Sequence, residues 1–165
     1  MQPTTPIQST TVSTAMPGRT DTGDTIETFV WVEEHDWLYA LLQSGLNVSP
    51  KFRVPDLISA CVSQLLAQED ASDRLFGYLG AELIMRAPGT PRRKESMWRD
   101  QYQQLQALQR SPSNRYPNPQ FQLDQLTTAC VALACREDRS GATTLRHARI
   151  NIVRRSAIGK VILSA

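Results

Sequence analysis

Pro50-Lys-Phe-Arg-Val-Pro-Asp-Leu-Ile-Ser-Ala-Cys-Val62 is met again as Pro119-Gln-Phe-Gln-Leu-Asp-Gln-Leu-Thr-Thr-Ala-Cys-Val131. At a constant offset of 69 positions, Pro50, Phe52, Leu57, Ala60, Cys61 and Val62 recur as Pro119, Phe121, Leu126, Ala129, Cys130 and Val131. Internal repetition names the structural unit, and two copies suit a pseudo-two-fold pair better than a solenoid. In each copy polar Lys51 and Arg53, or Gln120 and Gln122, alternate with apolar Phe52 and Val54, or Phe121 and Leu123. That is the period of a short strand with one wet face. The period then becomes helical. Leu57, Cys61, Val62, Leu65 and Leu66 form one apolar stripe, and Leu126, Cys130, Val131, Leu133 and Ala134 the other. Pro55 suits a first helical turn and Asp56 the positive helix end.

Each helix runs into a polar break, over 68–73 and 136–141. Ser72 or Asp73, and Ser140 or Thr143, are candidate N-caps for second helices over 74–87 and 144–155. Their inward residues would be Leu75, Leu79, Leu83 and Ile84 in one, and Leu145, Ile150, Ile152 and Val153 in the other. The fold class expected is mainly α with a short two-stranded antiparallel β-ribbon, built from a duplicated strand-helix-helix unit.

This order, over residues 49–88 and 118–156, resembles the ribbon-helix-helix family of DNA-binding proteins. It is closest in plan to the tandem members of conjugative relaxosomes and the T-DNA border accessory protein, which carry both copies in one chain. The resemblance implies a ribbon in the major groove of double-stranded DNA, read as a monomeric pseudo-dimer or a homodimer. It points to a DNA-binding accessory protein or transcriptional regulator of a plasmid or other mobile element. Lys51 and Arg53 would then face guanine O6 and N7, and Gln120 and Gln122 adenine N6 and N7. The different side chains of the two strands imply an asymmetric target. Phosphates would be held near Ser72 and Thr143 at helix starts, by Arg92, Arg93 and Lys94, and by Arg146.

The remaining segments follow from composition. Residues 1–24 are rich in Thr, Ser, Pro and Gln and are expected to be disordered, with neither a signal peptide nor a membrane segment. Residues 25–48 carry Phe29, Trp31 and Trp37 among acidic residues. They suit an extra strand and helix closing over the core, the ribbon strand itself, or, over 26–46, a hook for a protein partner. Residues 89–117 open as a proline-broken basic loop and continue as a Gln-rich helix over 95–110, before the second copy at 118–165.

Charge is uneven. One basic residue, Arg19, stands against six acidic ones in residues 1–48, while seventeen basic face ten acidic in 49–165. The larger part is therefore basic, which fits nucleic acid. Cys61, Cys130 and Cys135 read as reduced thiols on apolar helix faces of a cytoplasmic protein. Only His35 and His147 are available for acid-base work, and no phosphate-binding glycine loop, metal-ligand spacing or nucleophile elbow is present. The sequence reading is therefore non-enzymatic, without cofactor, metal or membrane. A helical adaptor docking a protein partner is the alternative class.

Overall fold

The computed structural model describes residues 24–48, 51–115 and 119–163, with the side chains of the last helix as far as Ser156. The tail expected to be disordered, Asp24 excepted, lies outside them. In order the elements are β1 (Thr25–Trp31), α1 (Val32–Leu42), α2 (Val54–Leu66), α3 (Ala71–Ala81), a 3-10 turn (Leu83–Met85), β2 (Arg92–Trp98), α4 (Arg99–Gln109), a 3-10 turn (Pro112–Asn114), α5 (Leu123–Glu137) and α6 (Ala142–Leu163). The chain is mainly helical, and β1 and β2 form a two-stranded antiparallel sheet.

The ribbon therefore exists, but 51–54 and 120–123 do not supply it. Lys51–Arg53 and Gln120–Gln122 are loops, and Val54 and Leu123 open helices. The alternation there arises because Phe52 and Phe121 are buried plugs between exposed neighbours. Their backbone groups are not free to pair with a strand. Asn47 Oδ1 accepts the Phe52 N–H at 2.8 Å, and Asn47 Nδ2 donates to the carbonyls of Phe52 and Leu42 at 3.2 and 2.9 Å. Asn114 does the same for Phe121, accepting its N–H at 2.9 Å and donating to its carbonyl and to that of Gln109, each at 3.0 Å. The next N–H groups are also occupied, Arg53 donating to Asp56 and Gln122 to Gln125 at the starts of α2 and α5. Extended backbone whose central N–H and carbonyl groups, at Phe52 and Phe121, are satisfied locally is a helix lead-in, not a ribbon.

The true strands come from segments rich in β-branched and aromatic residues, Thr-Ile-Glu-Thr-Phe-Val-Trp, and from the run Arg-Arg-Lys-Glu-Ser-Met-Trp. The basic stretch 92–94, expected as a loop, is strand, as are the first four residues of the helix expected over 95–110. Each strand passes directly into a helix. Val32 N–H donates to the Pro91 carbonyl and Arg99 N–H to that of Asp24, carrying the pairing into α1 and α4.

The strands pack crosswise on the helices, β1 against α5 and β2 against α2. Two backbone bonds fix this crossing. Trp31 N–H donates to Thr128 Oγ1 at 3.1 Å, and Trp98 N–H to Ser59 Oγ at 2.9 Å. Beneath the ribbon α2 and α5 cross at the centre of the core, with Leu57, Ile58, Cys61, Val62, Leu126, Ala129, Cys130 and Val131 all buried. The turn from α5 into α6 needs Gly141, at φ 80°, where a Cβ would also run into Leu41.

The second helices depart from expectation. The 74–87 helix ends at Ala81 and breaks into the 3-10 turn, leaving Ile84 exposed. On α6, Ile150 and Val153 point outward, because Thr144, Leu145, Ala148 and Asn151 make its buried face. That face is seamed by hydrogen bonds to α2, Thr144 Oγ1 to Gln64 Oε1 at 2.8 Å and Asn151 Nδ2 to Ser63 Oγ at 3.0 Å.

Replacing Asn47 or Asn114 by Ala strips a buried N–H and two carbonyls of their partners. Each substitution is expected to cost about 2–3 kcal/mol by the ordinary penalty for orphaned buried groups. Urea unfolding of the single variants measures it, and a change below about 0.5 kcal/mol in both contradicts the role given to these side chains.

Candidate nucleic-acid interface

The register of the ribbon decides which side chains it offers. Glu27 lies opposite Ser96, Phe29 opposite Lys94 and Thr28 opposite Glu95. Cross-strand partners share a face, so Thr28, Val30 and Met97, all buried, belong to the face packed on the helices. Thr127 Oγ1 gives its proton to the Leu123 carbonyl, so the 3.2 Å contact between Thr28 and Thr127 is donated by Thr28. Glu27, Phe29 and Lys94 lie on the other, exposed face, where Lys94 Nζ reaches Glu27 at 2.9 Å along the diagonal.

The two ends of the ribbon differ in charge. At the first, Arg92 lies over the Trp31 ring at 4.7 Å and pairs with Asp124 at 2.7 Å. Arg86 covers the same ring at 5.6 Å and is held by both carboxylate oxygens of buried Glu34 and by Tyr78 Oη. The hydrogen bonds to Glu34 raise the Arg86 pKa above its ordinary value. These cations are spent within the fold. At the other end Trp98 Nε1 donates to Asp56 at 2.8 Å, while Arg155 stacks on the Trp98 ring at 3.7 Å and reaches the same carboxylate at 3.3 Å. Burial lowers the Arg155 pKa, and Asp56 only partly offsets it. Arg53 also approaches Asp56, at 4.0 Å, so two guanidiniums share one carboxylate.

The residues expected to read bases are therefore not side by side on a ribbon. Lys51 and Arg53 stand before α2, and Gln120 and Gln122 before α5. Gln122 nevertheless lies beside the ribbon, lining a cleft with Glu27, Phe29, Arg92 and Tyr102. Among the expected phosphate contacts, Arg92, Arg93 and Lys94 lie on β2. Arg92 is tied to Asp124 and Lys94 to Glu27, whereas Arg93 is exposed and without an ion-pair partner among the described residues. Ser72 is the second residue of α3 and Thr143 the second of α6. The Thr143 N–H is not free for a phosphate: with the Thr143 hydroxyl it donates to Asp138 Oδ2, while Ser140 donates to Oδ1. Arg146 is exposed on α6.

The alternative that residues 25–48 supply the ribbon strand itself holds for β1, but the sequence reading missed Glu27 and Phe29 as its outward side chains, and Asp124 and Asp56 as anchors of Trp31 and Trp98. The signal was a second offset of 67 positions, shared by Trp31 and Trp98 and by Asn47 and Asn114. It differs from 69 because the loop from Asn114 to Phe121 is two residues longer than that from Asn47 to Phe52.

Residues with acid-base potential are placed as structural groups. His35 and Glu95 meet at 2.7 Å and join α1 to β2. Cys61 and Cys130 are wholly buried, and burial pushes both thiols up, Cys130 to about 12. Cys135 is half-exposed. Among the described residues no three or more His, Cys, Asp or Glu are grouped to hold a metal ion, and no helix is long and apolar enough to cross a membrane. What the open face of the ribbon can do chemically is present donors, an acceptor and one aromatic ring.

Comparison with family models, with curated proteins and with solved structures finds no match to this chain.

Asp138 gives a test of the α6 start. Hydrogen bonds from Ser140 and Thr143 hold its carboxyl down to about 2. A depressed pKa contributes stability that is complete above the unfolded value and is lost as pH falls through the folded one. Asp138→Ala is expected to cost about 1 kcal/mol at pH 7, the usual effect of losing a helix cap. The difference from wild type should shrink as pH drops from about 4 toward 2. Unfolding curves at pH 7 and pH 3 check both statements, and a pH-independent difference contradicts them.

Proposed function

We propose that this chain is a DNA-binding protein that lays the β1–β2 ribbon into the major groove of double-stranded DNA. The observation carrying this reading is an antiparallel two-stranded ribbon, backed by helices on one face and open on the other, whose β2 strand begins Arg92-Arg93-Lys94. A ribbon of two strands fits the roughly 12 Å major groove. Lys94 can donate to a guanine edge, Glu27 can accept from cytosine N4, and Phe29 can meet a thymine methyl, while Arg93, opposite Val30 and so on the other side of the ribbon at its exposed end, can hold a phosphate. Gln122, beside the open face, retains the adenine-reading role expected from the sequence.

The companion reading is that residues 25–81 and 92–163 are copies of one strand-helix-helix-helix unit, paired as a pseudo-dimer within one chain. It is supported by the matched Asn47 and Asn114 bonds, the matched Trp31 and Trp98 bonds to Thr128 and Ser59, and the two offsets. β1 carries one acidic and no basic residue, whereas β2 carries three basic residues and one acidic. A single chain of this kind reads a non-palindromic site. An accessory or regulatory role follows from the resemblance to tandem ribbon-helix-helix proteins.

The test is an electrophoretic shift with a pool of random-sequence duplexes at 50 and 200 mM salt. Wild type is expected to bind, with affinity falling steeply as salt rises. The double variant Arg93→Ala, Lys94→Ala is expected to lose about tenfold or more, at about 1–3 kcal/mol for the base contact of Lys94 and a shallower salt dependence for the phosphate contact of Arg93, with its thermal midpoint near wild type because both side chains are exposed. Absence of a retarded species at 50 mM salt rejects the reading.

A further inference from the structure

We propose that the outer face of α6, with the Lys51–Arg53 loop at its flank, is a second contact for the DNA backbone, so that the bound site extends beyond the ribbon at one end only. This rests on the DNA reading above and assigns the partner surface that it leaves open.

Residues 142–163 contain four arginines, a lysine and a histidine, and no acidic residue. The placement of the first part of this helix is one-sided. Thr144, Leu145, Ala148 and Asn151 are buried against the body, while Arg146, Arg149, Ile150, Val153 and Arg154 are exposed. Their spacing of three, four, seven and eight residues makes one stripe. Arg146, Arg149 and Arg154 form no ion pair among the described residues, in contrast to Arg86, Arg92, Lys94 and Arg136.

The stripe is joined to further positive charge. The Arg149 guanidinium lies 5.9 Å over the Phe52 ring, which brings the Lys51–Arg53 loop alongside α6. Arg53 and Arg155 share the carboxylate of Asp56, and Lys51, two residues before Arg53, is exposed. The charges of Arg146 and Arg154 also act on His147, whose pKa is lowered first by burial and then by Arg146. Glu137 opposes them there, and Asp100 and Asp24 near Arg155.

Position along the ribbon follows from Arg155, which stacks on Trp98 at the end of β2. α6 therefore passes the Thr25–Trp98 end. The Trp31–Arg92 end has its cations neutralised by Glu34 and Asp124. At 1.5 Å per residue, Arg146 to Arg154 spans about 12 Å, the length of three or four phosphates along one strand. A lipid surface is the poorer occupant. An interfacial helix buries a wide apolar face in the membrane, and the apolar face of α6 is already used against α2.

Fluorescence anisotropy of the full chain on a 30-base-pair mixed-sequence duplex, over a salt series, tests the inference. The triple variant Arg146→Ala, Arg149→Ala, Arg154→Ala is compared with Arg93→Ala, Lys94→Ala, with the Lys triple at the same α6 positions, and with wild type. The Ala triple should bind at least tenfold more weakly at 100 mM salt, with a log-log salt slope about two to three shallower, near 0.9 per lost phosphate contact. The Lys triple should keep most of the slope. An Ala triple matching wild type in affinity and slope, while the ribbon variant is weakened, overturns the α6 contact and leaves the DNA reading standing. Failure of wild type to bind at 50 mM salt removes both. Binding of wild type to phosphatidylserine vesicles that the Ala triple loses, with DNA affinity unchanged, assigns the face to a membrane instead and also overturns the inference.

Discussion

The structure depends on two backbone amides at the ends of the strands. Trp31 and Trp98 are the last residues of β1 and β2, and each N–H is taken by a hydroxyl on the helix under it, Thr128 on α5 and Ser59 on α2. A strand end without this partner would bury an unpaired N–H, at a cost of about 1–3 kcal/mol. The hydroxyls thus specify which helix each strand lies on. The indole N–H groups repeat the choice by reaching Asp124 and Asp56 at the first turns of the same two helices. The consequence is a crossed arrangement, in which the strand from one half of the chain is seated on a helix from the other half. Neither half can bury its strand without the other, so the ribbon and the α2–α5 core form together.

That core explains the chemistry of the cysteines. Cys61 and Cys130 occupy matching places on α2 and α5, and burial is the main reason that neither ionises, with Cys130 adding to the effect at Cys61. A thiol so far from ionisation is a poor nucleophile. Both act as small apolar side chains that let the two helices approach. Where α6 packs on α2, two polar pairs stand beside the apolar Leu145 and Ala148, Thr144 with Gln64 and Asn151 with Ser63. Such pairs are directional, and they set the rotation of α6 that turns its arginines outward.

The helical stripes of α2 and α5 were legible because their apolar residues serve one purpose, burial against each other. Phe52 and Phe121 misled for a physical reason. An exposed-buried-exposed triplet has the same pattern whether the chain is a strand or the extended lead-in to a capped helix. Only the fate of the backbone hydrogen bonds separates them, and here the partner is an Asn five or seven residues earlier. β2 was obscured in a different way. Arg92 and Lys94 on one face and Arg93 on the other give no period-2 contrast, since this part of the strand lies at the exposed end of the ribbon. The exposed α6 stripe was hidden by Ile150 and Val153, whose apolarity suggested an inward face that Leu145, Ala148 and Asn151 occupy.

The distribution of paired charge carries the functional argument further than net charge does. A cation already stacked and bonded, as Arg86 and Arg92 are, has had its water replaced by protein groups and gains little by exchanging Asp or Glu for a phosphate. An exposed cation without an ion-pair partner is free to replace the cations condensed on a polyanion, and the release of those cations is what drives association. Arg93, Arg146 and Arg154 are of the second kind, as is Arg149 apart from its contact with the Phe52 ring, and three of the four lie on the helix whose Arg155 stacks on Trp98. On the duplicated-unit reading, α3 is the counterpart of that helix, and it is half as long and carries Asp73 with Arg74. The two halves thus share the bonds that build the ribbon and differ in the charges that surround it. On the DNA-binding proposal, a common frame with unequal flanks suits one orientation on an asymmetric duplex and disfavours the reversed one that a symmetric pair would accept equally.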